Sequence, residues 1–280
     1  MIRRVVAPIS AASLPVSLET IGINDDQEPI DRPRGYPCFH WLHTLEGEGE
    51  FEVGNVKWRL TPRTGMLVHP DVPHRYQART ATWQTAYVTF EGSHARQWVS
   101  AMFGSAAVRI QWDAEERRIT GQWMNLLEMA ESGTDRSGWE LSAELYRFIT
   151  TLKTAGRTDN RPSMSRRMER MQSLLEWLER EYADPDLGIR EMAARLGIGE
   201  RQLNERFRQL FGQTAYAYLI GLRLRKAKEM LPVHADKTIG EIGAAVGFRD
   251  ASHFVATFRR KEGLTPDRYR QLHGGIRSLT

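Results

Sequence analysis

The chain has 280 residues, 41% of them apolar and 26% charged, a balance that supplies folded cores and excludes wholesale disorder. No apolar run reaches the roughly 18 residues that a membrane-spanning helix needs, and a single cysteine, Cys38, excludes an internal disulfide framework, so the expected compartment is the reducing cytoplasm. The net charge of +4 is uneven: from Ser165 onward 21 Lys and Arg face 15 Asp and Glu, while the first 164 residues hold 18 and 20, which points the C-terminal half toward a polyanion.

Residues 1–7 faintly mimic a signal peptide, but Pro8 and Pro15 break the apolar stretch and it reads as an arm or first strand. Up to about Gly92, runs rich in Val, Trp, Tyr and Thr alternate with Gly, Pro and Asn. Strands are expected at 39–43, 51–53, 56–60, 65–68 and 83–90, with a hairpin turn at Gly54-Asn55. Such a series forms a sandwich or small barrel. From Ser93 to Lys153 the period becomes helical: Ile119, Trp123, Leu126 and Ala130 make one stripe, and Leu141, Leu145, Phe148 and Leu152 another. This helical hairpin must bury its stripes against the sheet or use one in a dimer contact. Residues 154–164 are small, polar and aperiodic, hence a linker between domains 1–153 and 165–280.

The last domain is all helical and repeats itself. Ile189, Met192, Ala193, Leu196 and Gly197 correspond to Ile239, Ile242, Gly243, Val246 and Gly247 at an offset of 50. Leu203, Phe207, Arg208, Gly212 and Thr214 correspond to Phe254, Phe258, Arg259, Gly263 and Thr265 at an offset of 51. Each copy reads as a short helix, a glycine suited to positive φ, a tight turn and a second helix, with Asp250 placed to cap the second copy. The free faces of the second helices carry Arg201, Arg206, Arg208, Arg259 and Arg260, which makes each copy a helix-turn-helix. Between them, residues 214–231 form a helix about 27 Å long with Tyr216, Ile220, Leu224, Ala227 and Leu231 on its buried face, stopped by Pro232. A rod of that length holds two readers roughly one DNA turn, ~34 Å, apart.

The segment Thr238-Ile239-Gly240-Glu241-Ile242 through Gly247-Phe248, then Phe254, Phe258-Arg259-Arg260 and Gly263-Leu264-Thr265-Pro266, closely resembles the C-terminal signature of the AraC/XylS family of bacterial transcriptional regulators. Gly65, the stretch from Pro70 to Tyr76 and the stretch from Trp83 to Gly92 resemble the family's cupin-like sensor domain. Gly199 stands where the family has a capping Ser, Gly243 where it has Ala, and His253 where it has an aromatic residue. The resemblance implies an α+β chain: a cupin-like β-barrel with a helical hairpin, then an all-α double helix-turn-helix domain. The function it implies is a ligand-responsive, sequence-specific DNA-binding regulator, an activator rather than an enzyme. The implied partners are double-stranded DNA, RNA polymerase, a second copy of the chain and a small-molecule effector, with a sugar as the first candidate.

By the resemblance, base reading falls on Arg201, Asn204 and Glu205, with Gln202 and Arg208 on the same face. Arg suits guanine, Asn adenine and Glu cytosine. The matching positions Ala251, Ser252, Val255 and Ala256 are small, so the second copy contributes more through phosphates, with Arg259 and Arg260. Trp41, His43, Trp58, Tyr76, Trp83 and Tyr87 are candidate effector contacts. The rival expectation, a cupin-type metalloenzyme with an accessory DNA-binding module, would need converging ligands. His40 and His43 are spaced so that a strand points them to opposite faces, and no cofactor or metal is expected.

Overall fold

Two strands far longer than the runs that predict them organise the N-terminal unit. The computed structural model describes residues 2–7, 13–104, 106–113, 117–158 and 163–274, and the chain divides into units Met1–Arg166 and Arg167–Thr280. In chain order the strands are β1 (Ile2–Val6), β2 (Ser17–Asn24), β3 (Ile30–Arg32), β4 (Phe39–Val53), β5 (Val56–Leu60), β6 (Thr64–Val68), β7 (His74–Glu91) and β8 (Ala107–Gln111). They form one antiparallel sheet in the order β1-β2-β7-β4-β6-β8, with β3 on β7 and β5 on β4. Register shifts at Thr44/Glu46 and Gly47/Gly49 bend β4. Its first half therefore pairs with β6 and its second half with β5, while β7 gives its halves to β3 and β2 in the same way. The roll brings Leu42, Met66 and Val68 of one half into a single cluster with Phe51, Leu60, Tyr76 and Trp83 of the other.

Gly54-Asn55 is the two-residue turn between Val53 and Val56, with Gly54 at φ +57°. The stretch read as an arm or first strand supplies β1 at Ile2–Val6, paired along its length with β2. β8 is a strand that the helical reading of 93–153 passes over. Five residues are too few to show a period against their neighbours, and β8 exists because the open edge of β6 is there to pair with.

The helices of this unit are α1 (Ala95–Phe103), α2 (Arg118–Ser132) and α3 (Trp139–Ala155). Both predicted stripes are buried, against each other and against Trp41, Val88 and Phe90 on the outer face of the sheet. Thr154 and Ala155, assigned to the linker by composition, complete the last turn of α3; residues 159–162 of that linker lie outside the described residues. His43 is fully buried in this layer, and burial pushes its imidazole down to about 3 from an ordinary 6.5. The folded chain thus holds His43 neutral while the unfolded chain takes a proton below pH ~6.5, so the stability that His43 contributes is present above that pH and lost as pH falls toward 3. In His43→Gln, the fall of the urea midpoint between pH 6.5 and 4 is expected to be shallower by the uptake of about one proton; an unchanged slope sinks this assignment.

The C-terminal unit contains α4 (Met164–Glu181), α5 (Ile189–Arg195), α6 (Glu200–Phe211), α7 (Ala215–Val233), α8 (Ile239–Ala245), α9 (Ala251–Glu262) and α10 (Pro266–His273). It has two small cores, one for each copy of the repeat. Met171, Leu174, Leu178, Met192, Leu203 and Phe207 build the first, and Ile242, Val246, Phe248, Phe254 and Phe258 the second. α7 serves both, with Leu219 and Leu222 in one and Ile220, Leu224, Ala227 and Leu231 in the other. Two details differ from the expectation. Tyr216 is 45% exposed, because the buried face of α7 is divided between two cores rather than drawn as one line. Pro232 lies inside the helix, whose last turn tolerates it through Val233.

Candidate nucleic-acid interface and effector cavity

Each helix-turn-helix is set by its caps. Thr238 and Glu241 exchange bonds at the start of α8: the Thr238 backbone N–H donates to Glu241 Oε2 at 2.7 Å, and the Glu241 N–H donates to Thr238 Oγ1 at 3.2 Å. Asp250 Oδ1 accepts from the His253 N–H at 2.7 Å and so starts α9, whereas α6 starts at Gly199 with no side-chain cap. The turn glycines Gly197 and Gly247 take φ of +63° and +90°. Gly243, on α8, has a packing reason to lack a side chain: a Cβ there would lie 2.9 Å from Cδ1 of Phe254, so α8 and α9 cross at glycine distance.

Leu203 and Phe207 bury one face of α6, and Phe254 and Phe258 one face of α9. Opposite them, Arg201, Gln202, Glu205 and Arg208 are exposed on α6, and Ala251, Ser252, Ala256, Arg259 and Arg260 on α9, with Val255 half-buried. Asn204 departs from the expected set. It is half-buried, and its Oδ1 accepts from the Ala215 N–H at 3.0 Å. Reading adenine takes both ends of the amide, and here the oxygen already braces α6 against the start of α7.

Arg223, whose stretch Leu222-Arg223-Leu224 fits the family's domain, is a residue to which sequence reasoning gave no role. It is buried on α7, where Nε donates to the carbonyl of Tyr182 at 2.8 Å and Nη2 to that of Asp184 at 2.6 Å. Arg249, from the turn of the second copy, donates to the Pro185 carbonyl at 3.2 Å and pairs with Asp186. Both arginines tie the second copy and the rod to the loop that opens the first. The available signal was an arginine between Leu222 and Leu224 on a helix with two apolar faces.

In the N-terminal unit, strand alternation sorts the candidate effector residues. Phe39, Trp41, Ala86, Val88 and Phe90 face the helices; His40, Leu42, Thr20, Tyr76, Tyr87 and Thr89 face into the rolled sheet. There they line a cavity of about 310 Å³ together with Arg4, Asn24, Asp26, Gln27, Glu28, Ile30, Arg32 and Tyr36. Gly22 lets β1 and Tyr87 approach β2 closely, since a Cβ there would run into the Arg3 carbonyl and lie 2.9 Å from the Tyr87 hydroxyl. Of the six expected contacts, Tyr76 and Tyr87 reach the cavity. Trp41 and His43 do not: they lie on the opposite face, bonded to each other (Trp41 Nε1 to His43 Nδ1, 3.0 Å) and packed by Trp112, Trp123 and Phe148. Trp83 is core, donating to Thr44 Oγ1 at 3.0 Å, and Trp58 sits half-buried on β5 opposite Phe51; neither lines the cavity. His40 and His43 face opposite ways, and among the described residues no group of three or more His, Cys, Asp or Glu is placed to hold a metal. Among them, too, no helix is long and apolar enough to cross a membrane.

Residues 22–175 match the AraC-like ligand binding domain and residues 192–272 a helix-turn-helix domain. The chain is 35% identical over 102 residues to the HTH-type transcriptional activator RhaS of Klebsiella pneumoniae (strain 342), covering 36% of each. It is 29% identical over 150 residues to that of Enterobacter sp. (strain 638), covering 54% of this chain and 52% of that one. The aligned part thus spans between about a third and about half of these curated relatives. A solved transcriptional regulator from Chromobacterium violaceum, with an AraC-type DNA-binding domain, is 27% identical over 39% of this chain and 96% of that one, with a TM-score of 0.36. Because the ligand-binding family takes in more than half of its residues, followed by the helix-turn-helix, this chain belongs to the AraC family.

Proposed function

We propose that the chain is a ligand-responsive, sequence-specific transcriptional regulator in which residues 1–153 sense the effector, 154–164 link and 165–280 bind DNA. The observation that carries this reading is the pair of second helices, α6 and α9, each seated on its own core with a polar or basic face left open. Arg201, Gln202, Glu205 and Arg208 are assigned to base and phosphate contacts in one major groove. Ala251, Ser252, Val255 and Ala256 are assigned to apolar contacts in the next, with Arg259 and Arg260 on phosphates. The effector belongs in the cavity of the rolled sheet, with Tyr76 and Tyr87 among its contacts. Binding there would shift the balance between two arrangements of the chain on DNA. The activator role, the contact with RNA polymerase and the cytoplasmic setting follow by analogy with the activators named above. A homodimer through the helical hairpin is supported by Met124, Trp139 and Tyr146, which remain exposed on α2 and α3. We assign the chain no catalytic reaction.

Selection of bound sequences from random DNA tests the reading directly: one discrete motif with two half-sites about one helical turn apart is expected, and recovery of unrelated sequences would overturn it. On the selected site, Arg201→Ala is expected to cost about 1–3 kcal/mol and to relax one base position, whereas Arg260→Ala should weaken all sequences alike and lower the salt slope by about one. Equal loss on selected and random DNA for Arg201→Ala would remove it from the base readers.

A further inference from the structure

Among the described residues, Arg32 on the cavity wall forms no ion pair with a carboxylate. Arg32 is half-buried at the end of β3. Its Nη1 lies 3.3 Å from His40 Nδ1 and 3.5 Å from His74 Nε2, and its guanidinium stacks 4.4 Å from the centre of the Tyr36 ring. His74 Nδ1 bonds to the Val72 carbonyl at 2.7 Å, which puts the proton there and leaves the Nε2 lone pair toward Arg32. Burial and the neighbouring guanidinium hold both imidazoles below their ordinary range, so both are neutral at pH 7.

Of the carboxylates near the cavity, Asp26 and Glu28 stand on its wall and Glu19 is engaged by neighbouring hydroxyls. Glu19 accepts from the Tyr36 hydroxyl at 2.8 Å and from Thr89 Oγ1 at 2.6 Å. Asp26 accepts from the Trp83 N–H at 3.2 Å, and both Asp26 and Glu28 are exposed. Among the described residues no carboxylate pairs with Arg32, and a second cation, Arg4, lines the same cavity. A neutral occupant would strip water from Arg32 and leave the charge unmet. A carboxylate would take its remaining donors in a planar, charge-assisted pair. The rest of the polar wall carries hydroxyls and amides (Thr20, Asn24, Gln27, Thr89) and the exposed carboxylates of Asp26 and Glu28, which suit a hydroxyl-bearing occupant, and the volume suits a molecule of sugar size.

From this arrangement we propose that the effector is a small hydroxyl-rich carboxylate, a sugar acid, whose carboxylate binds Arg32. The proposal rests on the reading of the chain as a ligand-responsive regulator and narrows its effector from sugars to their acids.

The test uses the full chain, calorimetric titration and three matched pairs of probes: galacturonate and galactose, glucuronate and glucose, gluconate and glucitol. At least one acid is expected to bind while its neutral partner does not. Arg32→Gln should weaken that acid about tenfold or more, and Arg32→Lys, which keeps the charge without the fork, should fall between. The unliganded melting temperature of each variant, and its footprint on the selected DNA site, report whether it has folded. A neutral sugar binding as tightly as its acid, an unchanged affinity in folded Arg32→Gln, or no binding by any of the acids would overturn the proposal. A neutral effector that shifts DNA occupancy would leave the regulator reading standing without the carboxylate. Failure of the wild-type chain to select any DNA site would remove the regulator reading, whatever the acids do.

Discussion

Replacing Arg223 with Met is expected to destabilise the C-terminal unit by about 3–4 kcal/mol, on the scale of two hydrogen bonds from a charged donor. Arg223 is only 3% exposed, and its bonds to the carbonyls of Tyr182 and Asp184 end the chain's exit from α4. Methionine fills the volume but donates nothing, so the carbonyl of half-buried Tyr182 would lose the Arg223 donor, while that of Asp184 keeps the Leu187 N–H at 3.2 Å. The site has no slack. Gly247, at φ +90°, approaches so closely that a Cβ on it would lie 2.6 Å from the Tyr182 oxygen and 2.8 Å from Arg223 Nε. The guanidinium, carried on α7, therefore meets the loop after α4 and the turn of the second helix-turn-helix at once. Urea unfolding followed by helical circular dichroism measures the loss. Arg223→Lys, with one compact ammonium in place of a fork, should recover part of it. Because the same contact spaces the two readers, DNA affinity for the complete site should fall together with stability. A Met variant within 1 kcal/mol of the wild type would show that these carbonyls find other donors.

Trp41→Ala is expected to cost the N-terminal unit about 3–5 kcal/mol, the range for a large aromatic removed from a packed core. The indole is fully buried against Trp112 and Phe148, and Gly65 lies beneath it, where a Cβ would come within 2.5 Å of the ring. Truncation also takes the donor from His43 Nδ1. Trp41→Phe keeps most of the area and should lose less, with effector affinity unchanged, because position 41 lies on the face of β4 away from the cavity. Thermal unfolding and titration of the same two variants separate the roles. A Phe variant that keeps its melting temperature but no longer binds effector would return Trp41 to the cavity wall.

The duplicated helix-turn-helix was readable residue by residue. Gly197, Gly247 and Asp250 announce the turns through backbone and capping preferences that act over three or four residues. Leu203/Phe207 and Phe254/Phe258 announce the buried faces because helical period is itself local. The hairpin turn at Gly54-Asn55 and the stripes of α2 and α3 were legible for the same reason. The cavity was not. Aromatic content drew attention to Trp41, His43, Trp58 and Trp83, yet composition does not say which side of a strand is inside when both sides are buried.

What the sequence determined alone, then, is whatever depends on neighbours within one turn of helix or one hairpin: the two readers, the rod between them and the helical hairpin. What the tertiary structure decided is whatever depends on residues distant along the chain. The bends in β4 choose His40 and Leu42 over Trp41 and His43 for the interior, and they bring Arg32 from β3 to His40 and His74. On α7, Arg223 gains its role only when the loop after α4 closes on it, 36 to 41 residues away in sequence. Alternation along a strand assigns residues to two faces, but only the closing of the sheet makes one of those faces a cavity and the other a core.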